Sequence, residues 1–385
     1  MKKRILIINK SFELGGIQMA LANMLGVLSK EYDVTLAVFH PRGPLLERVP
    51  ASVKLLKLSP LTETLGMKYE DCKKYGTFGQ KLFKYVGSIW SKVFGNTAPV
   101  AFALAFQKNV GEYDAVISYH QETSARTLVS GFGKFALTKC NAKKRIAWVH
   151  ADFLATKLAT PKNEKTYNRF DKIICVSKTS AENFAAAYPS LRDKCDYCYN
   201  YLPVAEIIEK GNREYCVFER AEGDVILFSA CRLHTEKGLL PALENLTPLF
   251  KEKKNLKWYI AGTGPEESAL KRFIGEKELE KQVRLLGFKD NPYPYMKEAD
   301  YLFLPSVHET FSMVVGEAHI LGTPVIASDI PIMREVLGEH DHLCTEFDYR
   351  AVVEKIMQNP KERALLDITH GLAEWTTQFE RALKC

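Results

Sequence analysis

No stretch of this 385-residue sequence holds the roughly 18 to 20 consecutive apolar residues that a membrane-spanning helix needs, so no span is expected. A G-x-G-x-x-G fingerprint and a P-loop lysine are both missing, which sets aside two common nucleotide-binding loops. Cysteine does not form a disulfide framework: the nine residues are odd in number and scattered, and Cys175 and Cys231 sit in apolar strand-like runs. That usage points to a reducing cytoplasm. Cys195 and Cys198 make a lone C-x-x-C with no second pair and no suitably spaced histidines, so they read as strand residues and not as zinc ligands. No basic-aromatic motif accompanies the positive charge, so no nucleic-acid partner is expected. The opening MKKRILIINK has too short an apolar run for a signal peptide and reads as a first strand.

Hydrophobic residues make up 46% of the sequence and charged residues 26%, an ordinary balance for a globular protein. The length suits two domains of about 190 residues, each able to bury a core. Charge divides unevenly between the halves. Residues 1–202 hold 30 Lys and Arg against 16 Asp and Glu, a net +14, whereas residues 203–385 hold 23 against 30, a net −7. The basic half is either a solvated surface or the face that meets an anionic partner. Apolar runs alternate with helical stretches: RILII, VTLAVF, AVISY, RIAWV and KIICV, then VILFSA, KWYIA, VRLLG, YLFLP and PVIAS. Strands buried on both faces and separated by helices predict parallel sheets. The fold class is therefore α/β, two doubly wound Rossmann-like domains facing across a cleft. A Pro, Gly and charge-rich segment without sustained periodicity predicts a linker over 203–222 between domains at 1–202 and 223–371.

Ligands on such sheets bind beyond the carboxyl ends of strands, so chemistry is sought there. Gly15 and Gly16 follow the first strand and open a helix, which fits either a phosphate approach at Gly16 or a bare turn. His150 directly follows the run RIAWV. A lone histidine is commonly structural, and the strand-end position raises the functional alternative. Arg232 and Lys237 lie in the turn after VILFSA, where a planar guanidinium and an ammonium can clamp a diphosphate. The turn GTGPE after KWYIA has structural reasons for its proline and acids, while Gly262 and Gly264 also let a flat ring lie against the backbone.

The segment VHETFSMVVGEAHIL sets Glu309 and Glu317 eight residues apart. On a continuous helix that spacing is roughly 12 Å along the axis, too far for a carboxylate dyad, so the two address different parts of one long ligand. Helix amides around Thr310, Phe311, Ser312 and Met313 favour an anion. A diphosphate with hydroxyl-rich groups at both ends is a nucleotide sugar, with Glu309 on the hexose hydroxyls and Glu317 on the ribose diol.

The Glu-x7-Glu pair, Arg232-x4-Lys237, the GTGPE turn, LLGFKDNPYPYMKEADYLFLPS, the N-terminal Gly-Gly loop, ICVSKTSAENF and YNYLP together resemble the retaining family 4 (group 1) glycosyltransferases of GT-B fold. The resemblance covers nearly the whole chain. It implies transfer of a hexose or N-acetylhexosamine from a nucleoside diphosphate sugar, a UDP sugar favoured over a GDP sugar, with retention of configuration. It implies no metal and no cofactor, and the sequence has no Asp-x-Asp. His150 is implied near the reacting sugar, Glu309 at the hexose, Glu317 at the ribose, and Arg232 with Lys237 on the diphosphate. The N-terminal domain would then bind acceptor, the C-terminal domain donor, and a last helix within 372–385 would cross back to the first domain. The sequence departs from the family pattern in two places, Glu309-Thr310-Phe311 for Glu-Gly-Phe and Gly15-Gly16-Ile17-Gln18 for G-G-x-E.

Residues 81–95, KLFKYVGSIWSKVFG, carry Leu82, Val86, Ile89, Trp90 and Val93 on one helical stripe beside lysines. Such a stripe is first of all a core face, with docking on a membrane interface as the second reading. The expected setting is the cytoplasm or the inner face of the membrane, with a lipid-linked acceptor and an anionic surface met by the basic half. A nucleotide-sugar epimerase and a non-catalytic binding subunit are the competing classes.

Overall fold

The computed structural model describes residues 2–213, 217–358 and 372–384. Two compact units emerge, Met1–Tyr201 with Leu372–Cys385, and Leu202–Gly371.

The first unit is built on seven strands: β1 (Arg4–Ser11), β2 (Asp33–His40), β3 (Lys54–Leu56), β4 (Glu112–Ser118), β5 (Asn141–Val149), β6 (Lys172–Cys175) and β7 (Cys195–Tyr197). They form one parallel sheet in the order β3-β2-β1-β4-β5-β6-β7. Successive residues of β1 are buried on both faces, Leu6 and Ile8 in the cluster that also holds Phe39, Phe132 and Phe135, and Ile5 and Ile7 against the opposite layer. Strands of this kind read as continuous apolar runs because neither side meets water. The helix Leu372–Leu383 belongs to this unit. Its Gln378 Oε1 accepts from Tyr199 N at 2.9 Å, Arg381 Nη2 donates to Asp196 Oδ1 at 2.8 Å, and the Trp375 ring lies 5.3 Å from that of Tyr201.

The second unit has six strands: β8 (Val225–Ala230), β9 (Leu256–Ala261), β10 (Val283–Gly287), β11 (Tyr301–Leu304), β12 (Val325–Ser328) and β13 (His342–Cys344). Their order is β10-β9-β8-β11-β12-β13, again parallel throughout. Strand alternation sorts side chains into two cores. Leu227, Trp258, Tyr301, Phe303 and Ile326 face one, while Phe228, Tyr259, Leu302, Leu304 and Ala327 face the other.

Three local expectations need correction. The segment 203–222 is not a bare linker: it carries the helix Val204–Gly211, whose Ile207 is buried with Leu202 and Ile320. Two turns are too few to show a period in sequence. Strands β3, β7 and β13 were not expected from the apolar runs; each is three residues long and stands at a sheet edge, where one flank and much of the side-chain surface stay wet. The stripe on 81–95 is not a core face. In the helix Phe78–Phe94, Leu82, Val86, Ile89 and Val93 are exposed, and Gln80, Lys84, Gly87 and Ser91 are the buried side.

Candidate functional site

In the second unit the chain winds from β8 outward to β10 and then returns to β11 on the other side of β8, so the strand order reverses at β8. Loops leaving the carboxyl ends on either side of such a point diverge and leave a crevice. The loops after β8, β9 and β11 all carry residues singled out above, and backbone hydrogen bonds lace them together. Leu233 N donates to Thr263 O at 3.0 Å, Glu266 N to Leu233 O at 3.0 Å, and Val307 N to Glu236 O at 3.0 Å.

Glycine permits this approach. Gly262 has φ +145°, and a Cβ there would lie 1.8 Å from Cys231 O; one on Gly264 would lie 2.3 Å from Leu233 O. Gly238, at φ +61°, would press a Cβ to 2.0 Å from Pro305 O. Backbone close approach therefore accounts for Gly262 and Gly264 without a ligand. Gly262→Ala is expected to destabilise the fold by on the order of 3 kcal/mol, read as a lowered urea midpoint, because φ and contact both oppose a side chain. An unchanged midpoint would show that the two loops separate freely.

The charged residues converge on these loops. Lys237 ends a short 3-10 turn, Thr235–Lys237, and its Nζ lies 2.5 Å from Glu309 Oε1, which also accepts from Ser306 Oγ at 2.9 Å. The pair is mostly shielded from solvent. Arg232 is exposed, and its guanidinium makes no ion pair or side-chain hydrogen bond among the described residues. Lys237, Glu309, Arg232 and Glu266 all lie within electrostatic reach of the Cys231 thiol, which burial pushes up to about 12. The structure thus brings Arg232, Lys237 and Glu309 to one place, one cation paired and the other available.

Thr310 and Phe311 lead into the helix Met313–Ile320, with Phe311 buried. Its N-cap, Ser312, has φ +60° and ψ 74°, a left-handed conformation that non-glycine residues adopt at a cost of roughly 1 to 3 kcal/mol. Ser312 Oγ is buried and without a partner among the described residues. The first-turn amides of Met313 and Val314 fall outside the helix ladder and aim toward the strand ends.

Glu317, one turn further, is in a different setting. It is buried, Tyr293 OH donates to its Oε1 at 3.2 Å, and burial pushes its carboxyl up to about 7 against the smaller opposing effect of that hydrogen bond. The two glutamates are therefore distinct chemically: Glu309 is charge-paired, and burial leaves Glu317 only partly ionised at neutral pH. Tyr293 and Ser306 were missed in the sequence, because neither lies in the motif whose carboxylates they contact.

In the first unit the sheet order reverses between β1 and β4. Gly16 opens the helix Gly16–Glu31, and a side chain there would meet no neighbour, so packing does not require glycine. His150 follows β5, is buried with its ring 4.6 Å from that of Tyr119, and hydrogen-bonds the Tyr119 backbone. Burial, with neighbouring His120 adding repulsion, holds its pKa down at about 3, so the imidazole is neutral at working pH. Nε2 is the ring nitrogen without a partner among the described residues. Asn9 Oδ1, Ser11 Oγ and Gln121 Oε1 are likewise buried and unpartnered among the described residues, on β1 or just past β4. Such atoms normally find hydrogen bonds, and four on neighbouring strand ends mark a polar recess. His150 at its strand end was the signal of it taken from the sequence, and Asn9, closing the apolar run RILIIN, was a second.

Among the described residues, one trio has metal-ligand spacing: Glu13, His40 and Asp71, with donor atoms within 4.8 Å of one another. Lys68 Nζ already stands 3.2 Å from Glu13 Oε2, so a cation of the chain itself meets that charge.

Comparison with known proteins bears on the family and the fold. Residues 214–367 match the family model described as glycosyl transferases group 1. Over 182 residues the sequence is 31% identical to the O-antigen biosynthesis glycosyltransferase WclY of Escherichia coli, covering 47% of this chain and 49% of that protein. Over 176 residues it is 30% identical to an N-acetylgalactosamine-N,N'-diacetylbacillosaminyl-diphospho-undecaprenol 4-alpha-N-acetylgalactosaminyltransferase of Campylobacter jejuni, covering 46% of each. The chain spans about half the length of the curated relatives it matches. Among solved structures, HepE of Anabaena in complex with UDP is similar with a TM-score of 0.62 and 18% identity, over 98% of this chain and 96% of that one. TarM of S. aureus is similar with a TM-score of 0.69 and 12% identity over the full length of both. Each unit is thus a parallel α/β domain of the GT-B class. Residues 214–367 belong to the group 1 glycosyl transferase family.

Proposed function

We propose that the protein transfers a hexose or N-acetylhexosamine from a nucleoside diphosphate sugar, a UDP sugar in preference to a GDP sugar, to a membrane-associated, lipid-linked saccharide. The anomeric configuration is retained, no metal takes part, and the product belongs to surface polysaccharide synthesis at the cytoplasmic face of the membrane. The observation that carries the reading is the convergence of Arg232, the Lys237–Glu309 pair and the Met313–Ile320 helix start on the strand ends where the sheet order reverses. The Campylobacter jejuni relative is named for a diphospho-undecaprenol acceptor, and HepE was solved with UDP, which favour the acceptor class and the base.

In this reading Arg232 and Lys237 bind the diphosphate, with Thr310, Ser312 and the Met313 amide about it and Phe311 backing the turn. Glu309 accepts hexose hydroxyls and Glu317 the ribose diol, beside Gly262. The bond from the anomeric carbon to the diphosphate breaks, the acceptor oxygen ends bonded to that carbon on the face the diphosphate left, and the acceptor proton leaves with the nucleoside diphosphate. Cations and amides fixed before reaction stabilise the charge growing on the leaving group. With Nδ1 donating to the Tyr119 carbonyl, a neutral His150 presents Nε2 as an acceptor for a hydroxyl of the moving sugar.

Arg232 offers the cleanest test, since its guanidinium has no partner to lose among the described residues. Arg232→Gln is expected to leave the melting temperature unchanged without nucleotide and to remove most of the stabilisation by UDP, which at 100 times the dissociation constant amounts to about 2.7 kcal/mol in the wild type. A panel of UDP, GDP, ADP and CMP names the base. Equal stabilisation of wild type and variant by the best nucleotide would overturn the clamp.

A further inference from the structure

The helix Phe78–Phe94 is fully specified at both ends, with an unpacked apolar face. Thr77 and Gln80 form a reciprocal capping box, Thr77 Oγ1 accepting from Gln80 N at 3.4 Å and Gln80 Oε1 from Thr77 N at 3.0 Å. Gly95, at φ +87°, stops it. Its inward side is small and polar and is tied down by hydrogen bonds. Gln80 Nε2 donates to Pro60 O at 2.8 Å, Lys84 Nζ donates to Met67 O, and Gly87 passes close to Leu128. Leu82, Val86, Ile89 and Val93 fall within a stripe about 60° wide, centred about 160° around the axis from that side. They are exposed, as are Phe78 at 84% and Phe94 at 72%. The patch continues onto the next helix, Thr97–Ala105, where Phe102 stacks on Phe83 with ring centroids 6.0 Å apart. Contiguous apolar surface of this kind marks an interaction face.

Charge says what covers it. From residue 72 to residue 111 the sequence contains six lysines and no carboxylate. All but Lys84 are exposed, and Lys81 and Lys92 lie roughly 100° to one side of the stripe, along one flank of the helix. A second copy docking face to face about a two-fold axis would set these lysines against themselves. An anionic bilayer satisfies both features, taking the apolar stripe below the headgroups and leaving the lysines at their level. Trp90 and Tyr85 flank the stripe, as interfacial aromatics do.

We propose that the Phe78–Phe94 helix, continued by Phe102 and Phe106, is the face by which the protein docks in the plane of an anionic membrane. This deepens the lipid-linked acceptor reading and rests on that reading for its purpose, while its test uses neither donor nor transfer. Of the four tryptophans, Trp148, Trp258 and Trp375 are buried and Trp90 is exposed, so quenching of tryptophan emission by a lipid-borne quencher reports this face.

The full chain is mixed with vesicles of phosphatidylglycerol and phosphatidylethanolamine, or of phosphatidylcholine alone, floated on a density gradient, and examined for quenching by brominated lipid. Flotation with the anionic vesicles and quenching of Trp90 are expected, and in Trp90→Phe the flotation is kept while the quenching is lost. The triple variant Leu82→Ser, Ile89→Ser, Val93→Ser should partition about tenfold or more weakly, with its melting temperature and UDP-induced shift kept. Wild-type partitioning by the triple variant, or flotation without quenching, would overturn the proposal. So would a wild-type dimer that the triple variant disperses and that ignores vesicles. If flotation is as expected and no nucleotide binds, the docking face stands and the transferase reading fails.

Discussion

Glu309→Ala is expected to lower the transfer rate by about a hundredfold to a thousandfold while the protein stays folded, the scale of loss when one group fixed on a reacting centre is removed. The carboxylate has two duties in the structure. Its Oε1 accepts from Lys237 Nζ at 2.5 Å and from Ser306 Oγ at 2.9 Å, so it both compensates a shielded cation and holds a set direction. Truncation leaves Lys237 unpaired, and some stability is lost with it. Glu309→Gln separates the two duties, because the amide oxygen can keep both hydrogen bonds without the charge. If hexose hydroxyls need the carboxylate, both variants lose turnover, and the stabilisation by UDP, which carries no hexose, stays within a few fold of wild type. Product formation from a UDP sugar by either variant at the wild-type rate would remove Glu309 from the site.

The sheets were written plainly in the sequence and the site only in part. Ten apolar runs correspond to ten strands because a strand covered on both faces has no polar alternation to obscure it. The three omitted strands lie at edges and are three residues long. The loops after β8 and β11 could be picked out from Arg232, Lys237 and Glu309, since cations and acids beyond strand ends stand out. What did not show were the pairings: Lys237 with Glu309 and Tyr293 with Glu317 join residues from different strand ends, and nothing local announces them. Gly238, Gly262 and Gly264 owe their identity to neighbouring loops pressing against them, a tertiary cause invisible along the chain. The Phe78–Phe94 helix is the sharpest lesson. Periodicity tells which residues share a face, and it correctly grouped Leu82, Val86, Ile89 and Val93. It does not tell which face turns inward, and here Gln80, Lys84, Gly87 and Ser91 do, held by hydrogen bonds and close backbone contact.

Glu317→Gln is expected to make the protein more stable at pH 8 and less able to bind nucleotide. Burial raises the Glu317 carboxyl from an ordinary value near 4.5 to about 7. Between those values the folded chain holds a proton that the unfolded chain has released, so this group's contribution favours folding below about 4.5 and is lost as pH climbs through about 7. An amide cannot ionise, so the variant escapes the loss and should gain on the order of 2 kcal/mol over wild type at pH 8, and little at pH 4.5. Tyr293 OH can still donate to the amide oxygen. The proposed ribose contact runs the other way: a carboxylate accepts from both hydroxyls of a diol, and an amide offers one acceptor and a mismatched donor. Affinity for UDP should therefore fall about tenfold or more in the variant, and in the wild type it should rise with pH from 6 to 8 as Glu317 ionises. Melting curves at the two pH values, with and without UDP, read both effects in one experiment. If wild type and variant share the same pH dependence, the buried carboxyl is not its source. If UDP stabilises them equally, the ribose lies elsewhere and Glu317 serves the fold alone, with its cost unexplained by binding.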